Sequence, residues 1–199
     1  MIDQSERSRY HHGDLRSALL DAAERSIREQ GVAQLSLRDL AREVGVSHAA
    51  PRRHFPERQS LLDALAQIGY ARLGERIREA VSNNESQFPE RVRRAAFAFA
   101  HFATDNPALL ELMNATKHRP GASSVPQSSA AAFAPILDLI CEGQEKKALR
   151  KGSPEEIGLI IYATINGITT LINTGAIRAE RLDDLTTTAV NQFLRGAAP

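Results

Sequence analysis

The chain has 199 residues, of which 42% are hydrophobic and 25% are charged, and its formal net charge is +1. These values are typical of one globular unit, or of two small ones that share a core. The near-neutral charge gives no evidence for a polyanionic partner, so such evidence must come from local placement. The single cysteine, Cys141, excludes an internal disulfide bond and a multi-cysteine metal site. Its apolar, helical neighbours predict a buried and inert thiol.

The N-terminal stretch MIDQSERSRYHHGDLR is charged and has no apolar segment, so we expect no secretory signal. The periodicity that follows is helical, and no strand pattern appears. A first helix is predicted to end before Gly31, a residue type that commonly terminates helices. The second helix begins at Ser36, which approximates a capping box with Asp39, and it stops at Gly45. Ser47 is predicted to cap a third, short helix.

Longer helices are expected in the remainder of the chain. The SPEE motif at 153–156 supplies a Ser cap, a Pro at the first helical position and acids in the first turn. The segment 117–129 is rich in Pro, Gly and Ser, which predicts a loop. About nine helices result in total, so the predicted fold class is all-α. The longer helices are expected at about 57–81, 90–105, 107–113, 130–149, 154–173 and 183–194.

An uncharged stretch at 158–176 is nearly long enough to span a bilayer. Its Thr and Asn residues make it too polar for a lone span, and no second candidate exists. We interpret it as a helix buried on most sides, and we expect a cytoplasmic protein without a membrane partner.

Two short helices joined by a turn that contains Gly45 fit a helix-turn-helix. Ala41 leaves room for the two helices to cross, and Gly45 permits the positive φ that reverses the chain. Arg52 and Arg53 lie about 100° apart on a helix, so that one can face base edges and the other a phosphate strand. The competing interpretation is a solvated basic helix end. The predicted DNA-binding residues are Ser36, Ser47, His48, Ala49, Arg52, Arg53, His54 and Arg58.

The stretch from about residue 10 to residue 66 resembles the N-terminal domain of the TetR family of transcriptional repressors. The stretches YHHGDLR and NPALLELM resemble one subgroup, and YATINGITTL resembles that subgroup's Trp-His-Gly motif region. The resemblance implies a homodimer whose second domain binds a small molecule and thereby releases DNA. It implies a helix-turn-helix DNA-binding domain at 1–56 and a ligand-binding and dimerisation domain at 57–199.

This chain departs from the usual family residues at four positions. Family members usually carry Tyr where this chain has Arg52, and Lys where it has Arg58. They usually carry Trp and His where it has Tyr162 and Asn166. Two interpretations remain open for the residues ahead of the first helix: a basic arm that reaches DNA, and a frayed, solvated terminus. This arm would comprise Arg7, Arg9, Tyr10, His11 and His12.

A ligand site in the second domain is a hypothesis that depends on the family resemblance. The candidate lining is mainly apolar, so the expected effector is mainly hydrophobic. The competing interpretation is that these residues only fill a core. A metal site drawn from His101, Asp105, Glu111 and His118 is discounted because their spacing is common by chance, so no metal or cofactor is expected. The predicted ligand-binding residues are Phe99, His101, Phe102, Met113, Phe133, Tyr162, Asn166 and Thr169.

The leading functional hypothesis is a repressor that a small-molecule ligand releases from a palindromic operator. The alternative is a helical small-molecule binding protein that has lost operator binding, and the departures at Arg52 and Asn166 are its support. An enzyme is a distant third, because no Ser/His/Asp arrangement and no phosphate loop appear. A homodimer is predicted on the helices at about 154–173 and 183–195, since the first is apolar on more than one face.

Overall fold

The computed structural model of the protein describes residues 12–82, 87–117, 119 and 124–198. This part of the chain contains eight α-helices and no strand, which confirms the all-α class. Three short 3-10 helices lie at Val32–Gln34, Pro51–Arg53 and Ala179–Arg181. The α-helices are α1 (His12–Gln30), α2 (Leu37–Glu43), α3 (Arg58–Val81), α4 (Phe88–Asp105), α5 (Pro107–Lys117), α6 (Ser124–Glu145), α7 (Pro154–Asn173) and α8 (Leu182–Gly196).

The predicted third short helix is not an α-helix, and this accounts for a count of eight rather than nine among the described residues. Pro51 has no N–H, so it cannot donate to the carbonyl of Ser47 as an α-helix would require. The Ala50 N–H donates to the Ser47 carbonyl at 3.0 Å instead, and the Arg53 N–H donates to the Ala50 carbonyl at 3.2 Å. Residues 48–54 therefore form turns and a 3-10 helix, whose N-terminal flanking residue is Ala50 and not Ser47.

The loop predicted at 117–129 is wrong for its second half, because α6 begins at Ser124. Val125 and Ser129 are almost fully buried, and the Ser124 Oγ accepts a hydrogen bond from Gln67 of α3 at 3.1 Å. Pro126 is tolerated because it lies in the first turn, where helical N–H groups have no partner within the helix. These anchors are tertiary, so the polar composition of the segment did not indicate them.

Two local predictions are also wrong. The Ser36 side chain makes no capping hydrogen bond, and Asp39 instead pairs with Arg42 at 2.9 Å. Asp is one methylene shorter than the Glu of an ordinary capping box. The shorter side chain favours the ion pair with Arg42 over the contact with the backbone of Ser36. Cys141 is exposed rather than buried. Its neighbour Ile140 occupies the buried side of α6, and one step along a helix rotates the side chain by about 100°.

The central helix of the fold is α3, which packs against α4, α5 and α6 and also contacts α1. It begins directly after the helix-turn-helix and continues into the core of the remaining helices. The crossing of α3 and α6 is close, because a Cβ added to Gly74 would lie 2.9 Å from the Cα of Ala132. The helix that continues from the N-terminal unit is therefore in direct contact with α6.

The expectation that α7 is buried on most sides is wrong. One face packs against α4, α6 and α8, but only 28% of its most apolar 18-residue window is buried. Leu159, Ile160 and Leu171 are 61%, 55% and 46% exposed. Within the described residues, α7 is the one helix that is long and apolar enough to cross a membrane by length and composition alone. One such helix is weak evidence for a membrane span.

Candidate functional site

The turn between α2 and the next helical segment is fixed by the backbone. Gly45 has a φ of +73°, a conformation that side-chain-bearing residues rarely adopt. The Val46 N–H donates to the Ala41 carbonyl at 2.9 Å and closes the turn. Ala41 is fully buried, so its small side chain permits the close packing that was predicted for the crossing. The local sequence thus forms a helix-turn-helix.

We define residues 47–55 as the recognition segment. Ser47, His48, Ala49, Arg52 and Arg53 are exposed along it, and His54 is half-buried. Pro51 and Phe55 point inward and are buried, and the Arg16 guanidinium of α1 lies 5.4 Å from the centroid of the Phe55 ring. The structure therefore presents most of the predicted DNA-binding residues on one outward-facing segment, held from beneath by a proline and an aromatic ring.

Arg58 was predicted to contact DNA, but its guanidinium instead binds backbone carbonyl groups of the same chain. Its Nε donates to the Leu35 carbonyl at 2.8 Å, and its Nη2 donates to the Val32 carbonyl. The side chain thus ties the start of α3 to the turn between α1 and α2. Ser36 is half-buried next to this contact. The partners of Arg58 lie 23 and 26 residues away in sequence, so local pattern did not reveal them.

We expect Arg58→Met to lower the free energy of unfolding by about 1–3 kcal/mol, because two carbonyl oxygens lose a charged donor. Urea unfolding measures this loss, and Arg150→Met, which removes an exposed guanidinium elsewhere, serves as the control. Unchanged stability together with lost DNA binding would instead place Arg58 among the DNA contacts.

Internal ion pairs neutralise several arginines near the helix-turn-helix. Arg25 pairs with Glu43 at 2.8 Å, and Arg72 contacts both carboxylate oxygens of Glu24 at 2.7 and 2.8 Å. Arg42 pairs with Asp39, as described above. Arg52 and Arg53 make no ion pair with any described residue, so the recognition segment presents two uncompensated positive charges. Arg38 of α2 is also exposed and makes no ion pair with a described residue. This distribution explains how a nearly neutral chain can present a local surface for an anion.

A cavity of about 350 Å³ lies between α4, α6 and α7. Three of the predicted ligand-binding residues line it: Phe99, Phe133 and Tyr162. Their rings form a cluster, with centroids 5.3 to 6.2 Å apart. Burial raises the pKa of the Tyr162 phenol above its ordinary value, so the hydroxyl stays protonated and can donate a hydrogen bond.

The other five predicted ligand-binding residues do not line this cavity. His101 is exposed on the surface, where its Nε2 lies 3.1 Å from Asp183 Oδ1. Phe102 and Met113 are buried in the core. Thr169 is buried and donates to the Asn166 carbonyl at 3.0 Å.

The reason for this difference is the helical phase of α4. Residues spaced three and four apart face the cavity, namely Val92, Ala95, Ala96 and Phe99, whereas positions 101 and 102 point elsewhere. Two alanines on this face leave the empty space, and the aromatic and polar positions of the sequence do not indicate it. Lys117 and Glu155, the two charged residues of the lining, were not among the predicted ligand-binding residues. Asn166 Oδ1 is buried and without a partner, although Asn166 does not line the cavity.

Two earlier candidates fall partly outside the described residues. Of the proposed basic arm before the first helix, only the backbone of His12 belongs to the described residues. His118 of the discounted metal site also lies outside the described residues. Within the described residues, no group of three or more His, Cys, Asp and Glu side chains is placed to hold a metal ion.

A helix-turn-helix with an exposed basic segment, joined to a helical unit that contains an apolar cavity, has the features of a DNA-binding regulator. Residues 19–65 match the family described as bacterial regulatory proteins, tetR family. The chain belongs to this family, whose members are DNA-binding transcriptional regulators rather than enzymes.

The chain is also similar to individual proteins. The nucleoid occlusion factor SlmA of Marinomonas sp. (strain MWYL1) is 30% identical over 102 residues, which are 51% of each chain. The chain thus spans about half the length of this curated relative. A solved protein with unknown function from Rhodococcus sp. RHA1 is 41% identical with a TM-score of 0.88, over 99% of this chain and 100% of that one.

The TetR family transcriptional regulator PfmR from Thermus thermophilus shares the fold, with a TM-score of 0.70 and 19% identity, over 89% of this chain and 97% of that one.

Proposed function

We propose that this protein is a cytoplasmic transcriptional repressor that a small-molecule ligand releases from a pseudo-palindromic DNA operator. The observation that carries the proposal is the pair Arg52 and Arg53, exposed on the recognition segment and without an ion-pair partner among the described residues. We retain the division into a DNA-binding domain at 1–56 and a ligand-binding and dimerisation domain at 57–199.

The recognition segment suits the major groove in its size and chemistry. Its N-terminal part carries the exposed His48 and Ala49, of which Ala49 is small enough to permit close approach to the bases. Successive residues of a 3-10 helix lie about 120° apart, so Arg52 and Arg53 point in different directions. One guanidinium can then contact a guanine edge while the other contacts a phosphate.

The exposed face of α7 supports a homodimer. Leu159, Ile160, Ala163, Gly167 and Leu171 are exposed on this face. A Cβ added to Gly167 would have no neighbour within 4 Å, which leaves room for another helix to approach closely. The family to which the chain belongs acts as dimers, and a two-fold contact of α7 and α8 with their copies would bury this apolar surface.

We expect Ile160→Asp and Leu171→Asp each to weaken self-association at least about tenfold, because a charge would be buried in the contact between copies. Sedimentation velocity at micromolar concentration measures the change. Ala131→Asp, at an exposed position of α6, is the matched control. A stable monomer in the unaltered protein would contradict the dimer.

A ligand would act on DNA binding through α6 and α3. Phe133 lines the cavity, and its neighbour Ala132 is the residue that meets Gly74 of α3. A ligand that displaces α6 would tilt α3 and thereby change the separation of the two recognition segments in the dimer. Such a ligand shifts the equilibrium only by its differential affinity for the two arrangements.

Electrophoretic mobility shifts with DNA that flanks the protein's own gene test this function. Binding at about 0.1 M salt that weakens steeply towards about 0.5 M is the result expected of phosphate contacts. A chain that binds no DNA at either salt concentration would contradict the proposal and favour a small-molecule binding protein without operator function.

A further inference from the structure

The cavity between α4, α6 and α7 is elongated. Along α6 its lining extends from Pro126 to Ile140, a rise of about 21 Å at 1.5 Å per residue. Along α7 it extends from Glu155 to Ile165, a rise of about 15 Å. A lining that follows two helices over this distance suits an extended hydrocarbon chain.

The walls of the cavity match a hydrocarbon chain in chemistry. Small and aliphatic side chains make up most of the lining, which also includes the three clustered rings of Phe99, Phe133 and Tyr162. Burial of apolar surface contributes about 25 cal/mol per Å², so a chain that fills the cavity gains affinity along its whole length. The aliphatic and small lining residues include Val92, Ala95, Ala96, Ile136, Leu137, Ile140 and Leu159.

The charged residues of the lining stand near opposite ends of the cavity. Lys117 is the last residue of α5, which packs against α6, and α6 enters the lining at Pro126 in its first turn. Glu155 begins α7 at the other end, where Gly158 packs against Ile140 and Leu137. The lining is therefore polarised, with a cation at one end and an anion at the other.

The two charges differ in their partners. Lys117 makes no ion pair with a described residue and lies in the last turn of α5. Glu155 is solvated and accepts a hydrogen bond from Ser153 Oγ at 2.8 Å, which lowers the pKa of its carboxyl. An anionic head group is thus attracted to the Lys117 end and repelled from the Glu155 end.

We propose that the cavity binds a single-chain amphiphile with a small anionic head group, the chain lying between α6 and α7 and the head beside Lys117. This assignment rests on the proposed function, because it names the chemical class of the effector. The sequence predicted only a mainly hydrophobic effector. The proposal adds one negative charge to this effector, at the end that lies beside Lys117.

Isothermal titration of the full chain with three probes of equal chain length tests the assignment. The probes are tetradecanoate, tetradecanol and tetradecyltrimethylammonium, each used below its micelle-forming concentration. We expect tetradecanoate to bind at least about tenfold more tightly than the other two, a difference of about 1.4 kcal/mol. Equal binding of the three probes, preference for the cationic probe, or no binding of any probe would overturn the proposal.

Two variants separate the head-group site from the chain site. Lys117→Met is expected to remove the preference for tetradecanoate and to leave tetradecanol binding unchanged. Lys151→Met changes an exposed lysine that is not part of the lining and lies near its Glu155 end, and it is expected to change neither. Ala130→Phe, at an exposed lining position beside the Lys117 end, is expected to weaken all chain-bearing probes. An unchanged preference in Lys117→Met would overturn the placement of the head group. Thermal unfolding confirms that each variant is folded.

Mobility shifts with and without tetradecanoate distinguish this assignment from the proposed function. Failure to bind DNA in the absence of any probe would contradict the regulator. DNA binding that persists unchanged, in a protein that also fails to bind tetradecanoate in the titration, would contradict only the amphiphile.

Discussion

Arg52→Ala and Arg53→Ala are each expected to weaken operator binding by about 1–3 kcal/mol, with different signatures. The residue that reads a guanine edge carries sequence information, so its loss should relax the preference for the operator over other DNA. The residue that contacts a phosphate carries none, so its loss should weaken all sequences alike and reduce the slope of log affinity against log salt by about one. Fluorescence anisotropy at several salt concentrations separates the two signatures.

Arg150→Ala provides the control for the loss of positive charge, because Arg150 is exposed and distant in sequence from the helix-turn-helix. It should leave both the preference and the salt slope unchanged. If Arg52→Ala and Arg53→Ala both bind the operator as tightly as the unaltered protein, the recognition segment does not read the DNA.

Phe55→Ala is expected to cost about 3–5 kcal/mol in the free energy of unfolding and to abolish operator binding. The ring is 2% exposed, closes the recognition segment and lies under the Arg16 guanidinium. Its removal leaves a cavity beneath the segment, which would no longer hold Arg52 and Arg53 in a fixed orientation. A loss of this size is a large part of the total stability of an ordinary domain.

The matched control is Phe133→Ala, which removes the same ring from the lining of the α4–α6–α7 cavity. Phe133 is half-buried, so the loss of stability should be smaller, and DNA binding should persist. Denaturant unfolding and anisotropy measure both effects. Full operator affinity in Phe55→Ala would show that the segment needs no support from this ring.

The longer helices could be predicted from the sequence because their boundaries are set by local chemistry. The Ser153 cap is an example: the Glu156 N–H donates to its Oγ at 3.2 Å, as the SPEE motif indicates. The prediction of 57–81 agrees closely with α3 at Arg58–Val81. Predictions were wrong where one residue or a tertiary contact overrides the pattern. Pro51 turned an expected α-helix into a 3-10 helix, and the burial of Val125 extended α6 into an expected loop.

The candidate sites show the same division between features that local sequence predicts and features that depend on tertiary contacts. The DNA-binding residues lie next to one another in sequence, so a local motif was sufficient to nominate them. Arg58 is the exception, since its carbonyl partners come from an earlier turn of the chain. The cavity is formed mainly by α4, α6 and α7 and by the space that small residues leave, and neither feature is visible in a list of aromatic and polar positions. Phe99, Phe133 and Tyr162, which the sequence nominated as ligand-binding residues, all line the cavity, whereas Lys117 was not among the nominated residues.

Selection of bound duplexes from a random DNA pool by the full-length protein tests the central claim most directly. A homodimer that reads DNA through two recognition segments should enrich a pseudo-palindrome. Its half-site centres should lie about one helical turn apart, or about 34–36 Å. Enrichment should disappear in the Arg52→Ala, Arg53→Ala double variant. A pool that stays random, or an enriched sequence that the double variant selects equally well, would contradict the account.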